Sequence, residues 1–150
     1  MKGRVVQLCG IALATAIGFV GVAGVSQAQT DIIKQRQADM KANGASMKAI
    51  NGILEANGSA AEVAAEATKI NAKAMELATL FPAGSDQGDT KAKPEIWQNQ
   101  DDFTGKLKAL QDESAMLVTA ANGGDMAAVK AQYDKLGGTC GGCHKVYKNK

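Results

Sequence analysis

Apolar residues recur at the alternating three- and four-residue spacing of an amphipathic helix along four stretches of the chain. The first stretch starts near Asp31 and ends at Asn57-Gly58, a pair that breaks helices. Ser59 and Glu62, three residues apart, form a capping box that starts the second helix. The predicted apolar seams of these two helices are Ile33, Met40, Met47, Ile50 and Leu54, then Val63, Ala67, Ile70, Ala74, Leu77 and Phe81.

Residues 82–93 form the longest connection, and two more helices follow it. Pro94 suits the first turn of the third helix, Asn122-Gly123-Gly124 ends it, and Asp125 can cap the fourth. The alternation with a period of two that is typical of strands is absent from the sequence. The third seam is Ile96, Phe103, Leu107, Leu110, Leu117 and Ala121, and the fourth is Met126, Val129, Tyr133, Leu136, Cys140, Cys143 and Tyr147.

Four amphipathic helices joined mostly by short loops predict an all-α fold, an antiparallel four-helix bundle. Many seam positions are alanine and few are aromatic, so the predicted core is short of bulk. A flat cofactor between the helices would supply the missing apolar volume. Because Cys140 and Cys143 continue the fourth seam, a group that they hold would face the bundle interior.

The first 28 residues predict a secretory signal peptide that is cleaved after Ala28. Met1 to Arg4 is a short basic start, Val5 to Val25 is apolar, and small residues precede the cleavage position. The alternative is a retained membrane anchor, because the apolar run is near the minimum spanning length. Leu8 before Cys9 argues against a lipoprotein signal. We therefore expect a bacterial periplasm or an equivalent compartment.

Removal of this segment leaves residues 29–150, which is enough for one compact domain. These 122 residues carry 15 Lys and Arg against 15 Asp and Glu, once Lys2 and Arg4 are subtracted from the 17 basic residues of the whole chain. A net charge near zero lacks the excess of positive charge that is typical of proteins that bind nucleic acid. Only two cysteines remain, so no disulfide framework is expected.

Both remaining cysteines belong to Cys140-Gly141-Gly142-Cys143-His144, the signature of covalent c-type haem attachment. On a helix, two thiols three residues apart share a face and can reach the two vinyl groups of one porphyrin edge. His144, the single histidine of the chain, can then bind iron as the proximal axial ligand. Alternatives are a zinc site, a dithiol redox motif and a structural disulfide. Zinc would need further ligands, the redox motif a strand–helix–strand context, and the disulfide would close only a tiny loop.

The whole predicted domain resembles the class II c-type cytochromes, above all cytochrome c′ and its low-spin relatives. The motif near the end of the chain and the pattern of the first helix select class II, because class I cytochromes carry the motif near their start. Class I proteins also take an axial methionine from downstream, and no methionine follows His144. The resemblance rests on Arg36-Gln37-Ala38-Asp39-Met40, Leu80-Phe81-Pro82, Lys93-Pro94-Glu95-Ile96-Trp97, Leu136-Gly137, Tyr147-Lys148 and the haem motif.

The resemblance assigns roles to residues outside the motif. It implies that Met40 faces the distal side of the haem, either shielding a five-coordinate iron or binding it through sulfur as a sixth ligand; Met47 is the second candidate ligand. It implies that Arg36 approaches the haem edge, where a guanidinium can pair with a propionate. Lys148 corresponds to a basic residue beside the proximal imidazole, and Lys145 and Lys148 either steer an acidic redox partner or form a solvated helix end.

We therefore predict a periplasmic c-type cytochrome with a single haem c per chain, a one-electron carrier rather than an enzyme. No nucleophile–base pair, carboxylate dyad or phosphate loop is visible in the sequence. The expected partners are periplasmic redox proteins, and we expect a homodimer. For the iron of this carrier, the five-coordinate state is favoured. One alternative is a haem protein that binds nitric oxide or carbon monoxide. The second alternative is a non-haem helical protein that uses the dithiol or binds a metal.

Overall fold

The first helix, α1, spans Val22–Glu55 and begins well before the predicted start near Asp31. The structure, a computed structural model, describes residues 22–150, with side chains from residue 27 onward. Residues 1–21 of the predicted signal peptide lie outside the described residues, and α1 runs through the predicted cleavage point. Residues 22–30 contain no proline and one glycine, so the local sequence has no strong signal that would end the helix. Within 22–150, no helix combines the length and apolarity that a membrane span requires.

Four more helices follow, and the predicted caps at Ser59 and Asp125 and the predicted break after Gly123 are present. They are α2 (Ala60–Leu77), α3 (Glu95–Gln98), α4 (Gln100–Gly123) and α5 (Met126–Tyr147). The predicted capping box is confirmed: the Glu62 N–H donates to Ser59 Oγ at 3.3 Å, and the Ser59 N–H donates to Glu62 Oε2 at 2.9 Å. Asp125 caps α5 by accepting from the N–H groups of Ala127 and Ala128. Gly124, at a φ of 78°, ends α4 in the left-handed region that glycine adopts readily.

The prediction of one continuous third helix was wrong, because Asn99 interrupts it. Asn99 has φ −128° and ψ 54°, outside the helical region. Its side-chain amide donates to the carbonyl of Glu95 at 3.2 Å, a local hydrogen bond that competes with helical backbone pairing. The prediction that Phe81 continues the seam of α2 was also wrong. The helix ends at Leu77, and the residue before Pro82 is pushed away from helical geometry.

The long helices pack in the order α1–α2–α4–α5, and the numbering of their contacts shows that neighbours run antiparallel. Between α1 and α2, Asp39 pairs with Lys73 at 3.2 Å, and Ser46, farther along α1, bonds with Glu66, which comes earlier on α2. The same reversal relates α2 to α4 through Asn71–Ser114 and Ala74–Gln111, and α4 to α5 through Glu113–Gln132 and Asp102–Tyr147. The predicted antiparallel four-helix bundle is confirmed.

The core is built from the predicted seams of α2, α4 and α5, and α1 contributes least to it. On α1, Ile33 and Ile50 are buried, whereas Met40, Met47 and Leu54 are half-buried. The other buried positions of α1 are polar: Arg36, Asp39, Asn43 and Ser46. Along its length, α1 meets α5 near Met47, whose carbonyl accepts the Tyr133 hydroxyl at 3.2 Å. Toward the C-terminal end of α5, a cavity lies between the two helices.

Candidate cofactor site

A cavity of about 460 Å³ lies between α1, the connection that precedes α3, and the last turns of α5. Three aromatic rings line its inner wall in edge-to-face contact. The ring centroids of Phe81 and Phe103 are 4.7 Å apart, and those of Phe103 and Tyr147 are 5.3 Å apart. The lining is therefore largely apolar, as is typical of cofactor sites. Its charged members are Arg36, Lys41, Asp89, Lys91 and Lys148, and His144 adds an imidazole.

The structure brings most of the predicted site residues together at this cavity. Cys143 and His144 line it from α5, and Met40 and Arg36 line it from α1. Lys148, one turn after His144, also lines it. Cys140 is half-buried one turn before Cys143 and packs against the hydrophobic core. Met47, the second candidate ligand, is not among the residues that line the cavity. It lies beside Gly137 on α5: its methyl carbon is 3.8 Å from the point where a Cβ at Gly137 would be.

Both thiols are held in their protonated form. Burial raises the pKa of Cys140, and it raises the pKa of Cys143 to about 11. His144 is at the solvent-exposed rim, yet desolvation by the surrounding protein lowers its pKa, and Lys148 lowers it further. A lowered pKa keeps the imidazole neutral at pH 7, which is the form that binds a metal.

Arg36 lies against the loop of residues 80–93, hereafter the 80–93 loop, and is 3% exposed. Its Nη1 donates to the Leu80 carbonyl at 3.3 Å and to Ser85 Oγ at 2.9 Å. Its Nη2 donates to the Ser85 carbonyl and to Thr90 Oγ1, both at 2.7 Å. The guanidinium carbon also lies 5.0 Å from the centre of the Phe81 ring and 5.7 Å from that of Trp97. These contacts use four of the five N–H donors of the side chain. The propionate contact implied for Arg36 stays a prediction.

Two further contacts, which no sequence pattern predicts, hold the C-terminal end of α5. The Tyr147 hydroxyl donates to Asp102 Oδ2 at 2.5 Å, and this hydrogen bond, together with burial, raises the pKa of Tyr147 to about 12. The chain after α5 pairs with the 80–93 loop through one antiparallel bridge between Ala92 and Lys148. Ser85, Thr90 and Asp102 are polar residues in or beside a polar stretch, and no pattern distinguishes them from their neighbours.

The residues present fit a c-type haem. Two thiols lie one helical turn apart beside a neutral imidazole, next to a cavity with an aromatic wall. Three lysines at the cavity, Lys41, Lys91 and Lys148, outnumber the single acid, Asp89, and suit a group that carries two carboxylates. Among the described residues, no cluster of three or more His, Cys, Asp or Glu side chains could hold a metal ion.

Comparison with known proteins identifies the family. The family model described as "Cytochrome C'" matches residues 31–148. This chain belongs to the cytochrome c′ family. A curated relative, the cytochrome c′ of Rhodospirillum rubrum, is 36% identical over 118 residues, which cover 77% of this chain and 80% of the relative. The resemblance inferred from the sequence is thereby confirmed.

Solved structures of cytochromes c′ share the fold. The cytochrome c′ of Shewanella frigidimarina matches with a TM-score of 0.77 at 34% identity, over 81% of this chain and 97% of that one. A cytochrome c′ described as having a ligand-controlled dimer dissociation matches equally well, at 32% identity and the same coverage. A nitric oxide complex of a cytochrome c′ variant from Alcaligenes xylosoxidans matches with a TM-score of 0.75 at 26% identity, over 81% and 96% of the two chains.

Membership of the cytochrome c′ family fixes the cofactor class. Proteins of this family bind covalently attached haem c with iron, so the predicted cofactor is confirmed. The alternative of a non-haem dithiol or metal-binding protein is thereby excluded. In this cytochrome, the cavity beside Cys143 and His144 is the candidate haem site.

Proposed function

We propose that this cytochrome is a one-electron carrier with a single haem, which is attached through Cys140 and Cys143 and bound at iron by His144. Bound haem supplies an iron that alternates between two oxidation states. One observation carries the proposal: Cys143, His144 and Met40, which come from two different helices, line the same apolar cavity. The aromatic wall limits water beside the iron, and the lysines at the cavity can neutralise the propionates.

We also propose that the protein is a carrier rather than an enzyme. The cysteine and the histidine that line the cavity, Cys143 and His144, would both be used by haem attachment, which supports a carrier role. The predicted signal peptide supports a periplasmic location, where we expect the redox partners to be. Determination of the mature N-terminus tests this location directly: a chain that starts at Gln29 supports cleavage, and a chain that retains Met1 contradicts it.

The haem assignment is tested by acid–acetone extraction and mass spectrometry of the purified protein. We expect the haem to stay on the polypeptide and the mass to exceed that of residues 29–150 by one haem. His144→Ala should keep the thioether bonds but change the optical spectrum, because only the axial ligand is lost. Extractable haem, or a mass without a haem, would contradict the proposal.

Gas binding is the second candidate function. It is supported by the half-buried Met40, an apolar side chain at the cavity rather than a polar one, and by the nitric oxide complex of the Alcaligenes xylosoxidans relative. If iron is five-coordinate, the face opposite His144 is open to a diatomic ligand. Titration of the reduced protein with carbon monoxide tests whether the iron is five-coordinate, the state that gas binding requires. A six-coordinate iron would not bind carbon monoxide readily, and that result would leave only the electron-carrier role.

We propose that the protein forms a homodimer, by analogy with the relative that undergoes ligand-controlled dimer dissociation. Sedimentation velocity of the holoprotein, with and without carbon monoxide, tests this proposal; a monomer under both conditions contradicts it.

We further propose that Lys145 and Lys148, both exposed at the haem end of α5, attract an acidic redox partner. Electron-transfer rates should then fall as salt rises, because screening weakens interactions between exposed charges.

A further inference from the structure

The 80–93 loop contacts both helices that supply the haem site. At its start and middle, it accepts four hydrogen bonds from Arg36 on α1. At its end, it pairs with the residues after His144 on α5: the Lys93 N–H donates to the Tyr147 carbonyl at 3.0 Å, and the Asn149 N–H donates to the Lys91 carbonyl at 2.8 Å. Lys93 Nζ adds a contact of 3.0 Å to the Val146 carbonyl. The loop therefore bridges α1 and the end of α5.

The two anchors lie close in sequence to the predicted ligands. Arg36 is one turn before Met40, and Gln37 adds a hydrogen bond of 2.8 Å from its side-chain amide to the Asp89 carbonyl. Tyr147 is one turn after His144. Between the anchors, the loop supplies a wall of the cavity through Phe81 and the run from Asp89 to Ala92. A displacement of the loop would change the spacing between the Met40 side and the His144 side of the cavity.

Arg36 is the residue on which this arrangement depends most. A buried guanidinium with unfilled donors would be costly, and the four acceptors that it finds all belong to the loop. Burial lowers the pKa of Arg36 and the charge of Asp86 partly offsets this, but an arginine stays protonated in either case. Hydrogen bonds to a charged donor are stronger than neutral ones, so Arg36 makes the main contribution of α1 to the position of the loop, beside the bond from Gln37.

We infer that Arg36 is a positioning residue: by holding the 80–93 loop, it sets the distance between the Met40 and His144 sides of the haem site and so controls ligand entry. This inference rests on the proposed haem site. It gives Arg36 a different role from that of a propionate partner, because its donors are already directed at the loop.

Thr90→Val tests the inference without changing Arg36. Valine keeps the shape of threonine and removes an acceptor of Arg36 Nη2 and of the Ala92 N–H. We expect amide exchange within the loop, and at Asn149, to speed up about tenfold, since a hydrogen bond to a charged group contributes roughly 1.5 kcal/mol. We also expect the reduced protein to bind carbon monoxide several-fold faster and its iron–imidazole Raman band to move.

Two further variants make this test specific. Thr90→Ser keeps a hydroxyl and should restore the wild-type exchange, binding rate and Raman band. Thr79→Val is the matched control, because Thr79 is an exposed residue whose hydroxyl donates to the Glu76 carbonyl within its own turn. It should change none of the three measurements.

Several outcomes would overturn the inference. If Thr90→Val leaves exchange in the loop unchanged, the hydrogen bond from Arg36 to Thr90 does not hold the loop, and the inference fails at this bond. If exchange speeds up in the loop but the binding rate and the Raman band stay at their wild-type values, the loop does not position the haem site. A wild-type protein without covalent haem would contradict the proposed function instead, and the exchange at Asn149 would still report whether the loop couples α1 to α5.

Discussion

Met40 and Met47 are seven residues apart on α1, yet only Met40 lines the cavity. We expect the oxidised protein to be high-spin and the reduced protein to bind carbon monoxide, with Met40 shielding the iron. Met40→Ala should then speed carbon monoxide binding, because a side chain over the distal side is removed. Stopped-flow mixing with carbon monoxide measures the rate, and electron paramagnetic resonance measures the spin state.

Met47→Ala is the matched control for that experiment, since it makes the same change on the same helix beside Gly137 rather than at the cavity. It should leave the rate and the spin state unchanged. A low-spin wild-type spectrum that becomes high-spin only in Met40→Ala would mean that the Met40 sulfur binds iron. That result would overturn the five-coordinate expectation but not the haem assignment.

Asn43 is a buried residue of α1, and no hydrogen bond from the described residues offsets the burial of its side-chain amide. It is 7% exposed, and neither its amide nitrogen nor its amide oxygen has a hydrogen-bond partner among the described residues. Because an unpaired buried amide is costly, Asn43→Leu, which has a similar shape, should raise the free energy of unfolding by about 1–2 kcal/mol. Thermal denaturation of the holoprotein measures the change.

The neighbouring Ser46 provides the opposite case. Ser46 is as buried as Asn43, but its hydroxyl is hydrogen-bonded to Glu66 and helps to lower the pKa of that carboxyl, after Lys69. Ser46→Ala should therefore reduce stability while Asn43→Leu increases it. A lower melting temperature for Asn43→Leu would show that the amide is satisfied after all.

At the scale of the helix, the features that depend on neighbouring residues, above all the helix caps, were predicted from the sequence. The capping box at Ser59 and the cap at Asp125 are present because each cap needs only residues within one turn. The break at Asn99 was missed, because an apolar seam continues through it from Ile96 to Phe103. The polar buried face of α1 was also missed, because Arg36 and the Oδ1 atom of Asp39 bind partners on other elements, which periodicity does not reveal.

The start of α2 offers a direct test of a cap. Ser59→Ala removes the oxygen that accepts from the Glu62 N–H, so the protein should lose roughly 1 kcal/mol of stability. Thr119→Ala is a suitable control, since that hydroxyl bonds to the Ala115 carbonyl within α4 and alanine favours a helix interior. Urea unfolding should show a lower midpoint for Ser59→Ala and little change for Thr119→Ala. Equal midpoints for the wild type and Ser59→Ala would mean that the cap contributes nothing.

At the scale of the whole molecule, the candidate site divides into a part visible in the sequence and a part that folding creates. Cys140, Cys143 and His144 were predicted because their chemistry needs only a fixed local spacing. The resemblance supplied Met40 and Arg36 but not the partners of Arg36. Ser85 is 49 positions away along the chain, and Tyr147 reaches Asp102 across 45. Such contacts follow from the bundle topology, which brings a loop and two helix ends to one cavity.

The same topology predicts how the protein responds to loss of its cofactor. In the packing order α1–α2–α4–α5, α1 is an outer member; it contacts α2 through several polar groups, and a cavity lies between it and the end of α5. In the haem-free double variant Cys140→Ala, Cys143→Ala, we expect amide protection to be lost first in α1 and the 80–93 loop. The buried seams of α2 and α4 should keep theirs, because local stability follows the density of buried apolar contacts. The single variant Cys140→Ala keeps Cys143 and His144 for haem binding, and it separates the loss of a side chain from the loss of the cofactor. If the double variant melts as cooperatively as the holoprotein, with α1 as well protected as α4, the alanine-rich bundle does not need haem to fill it.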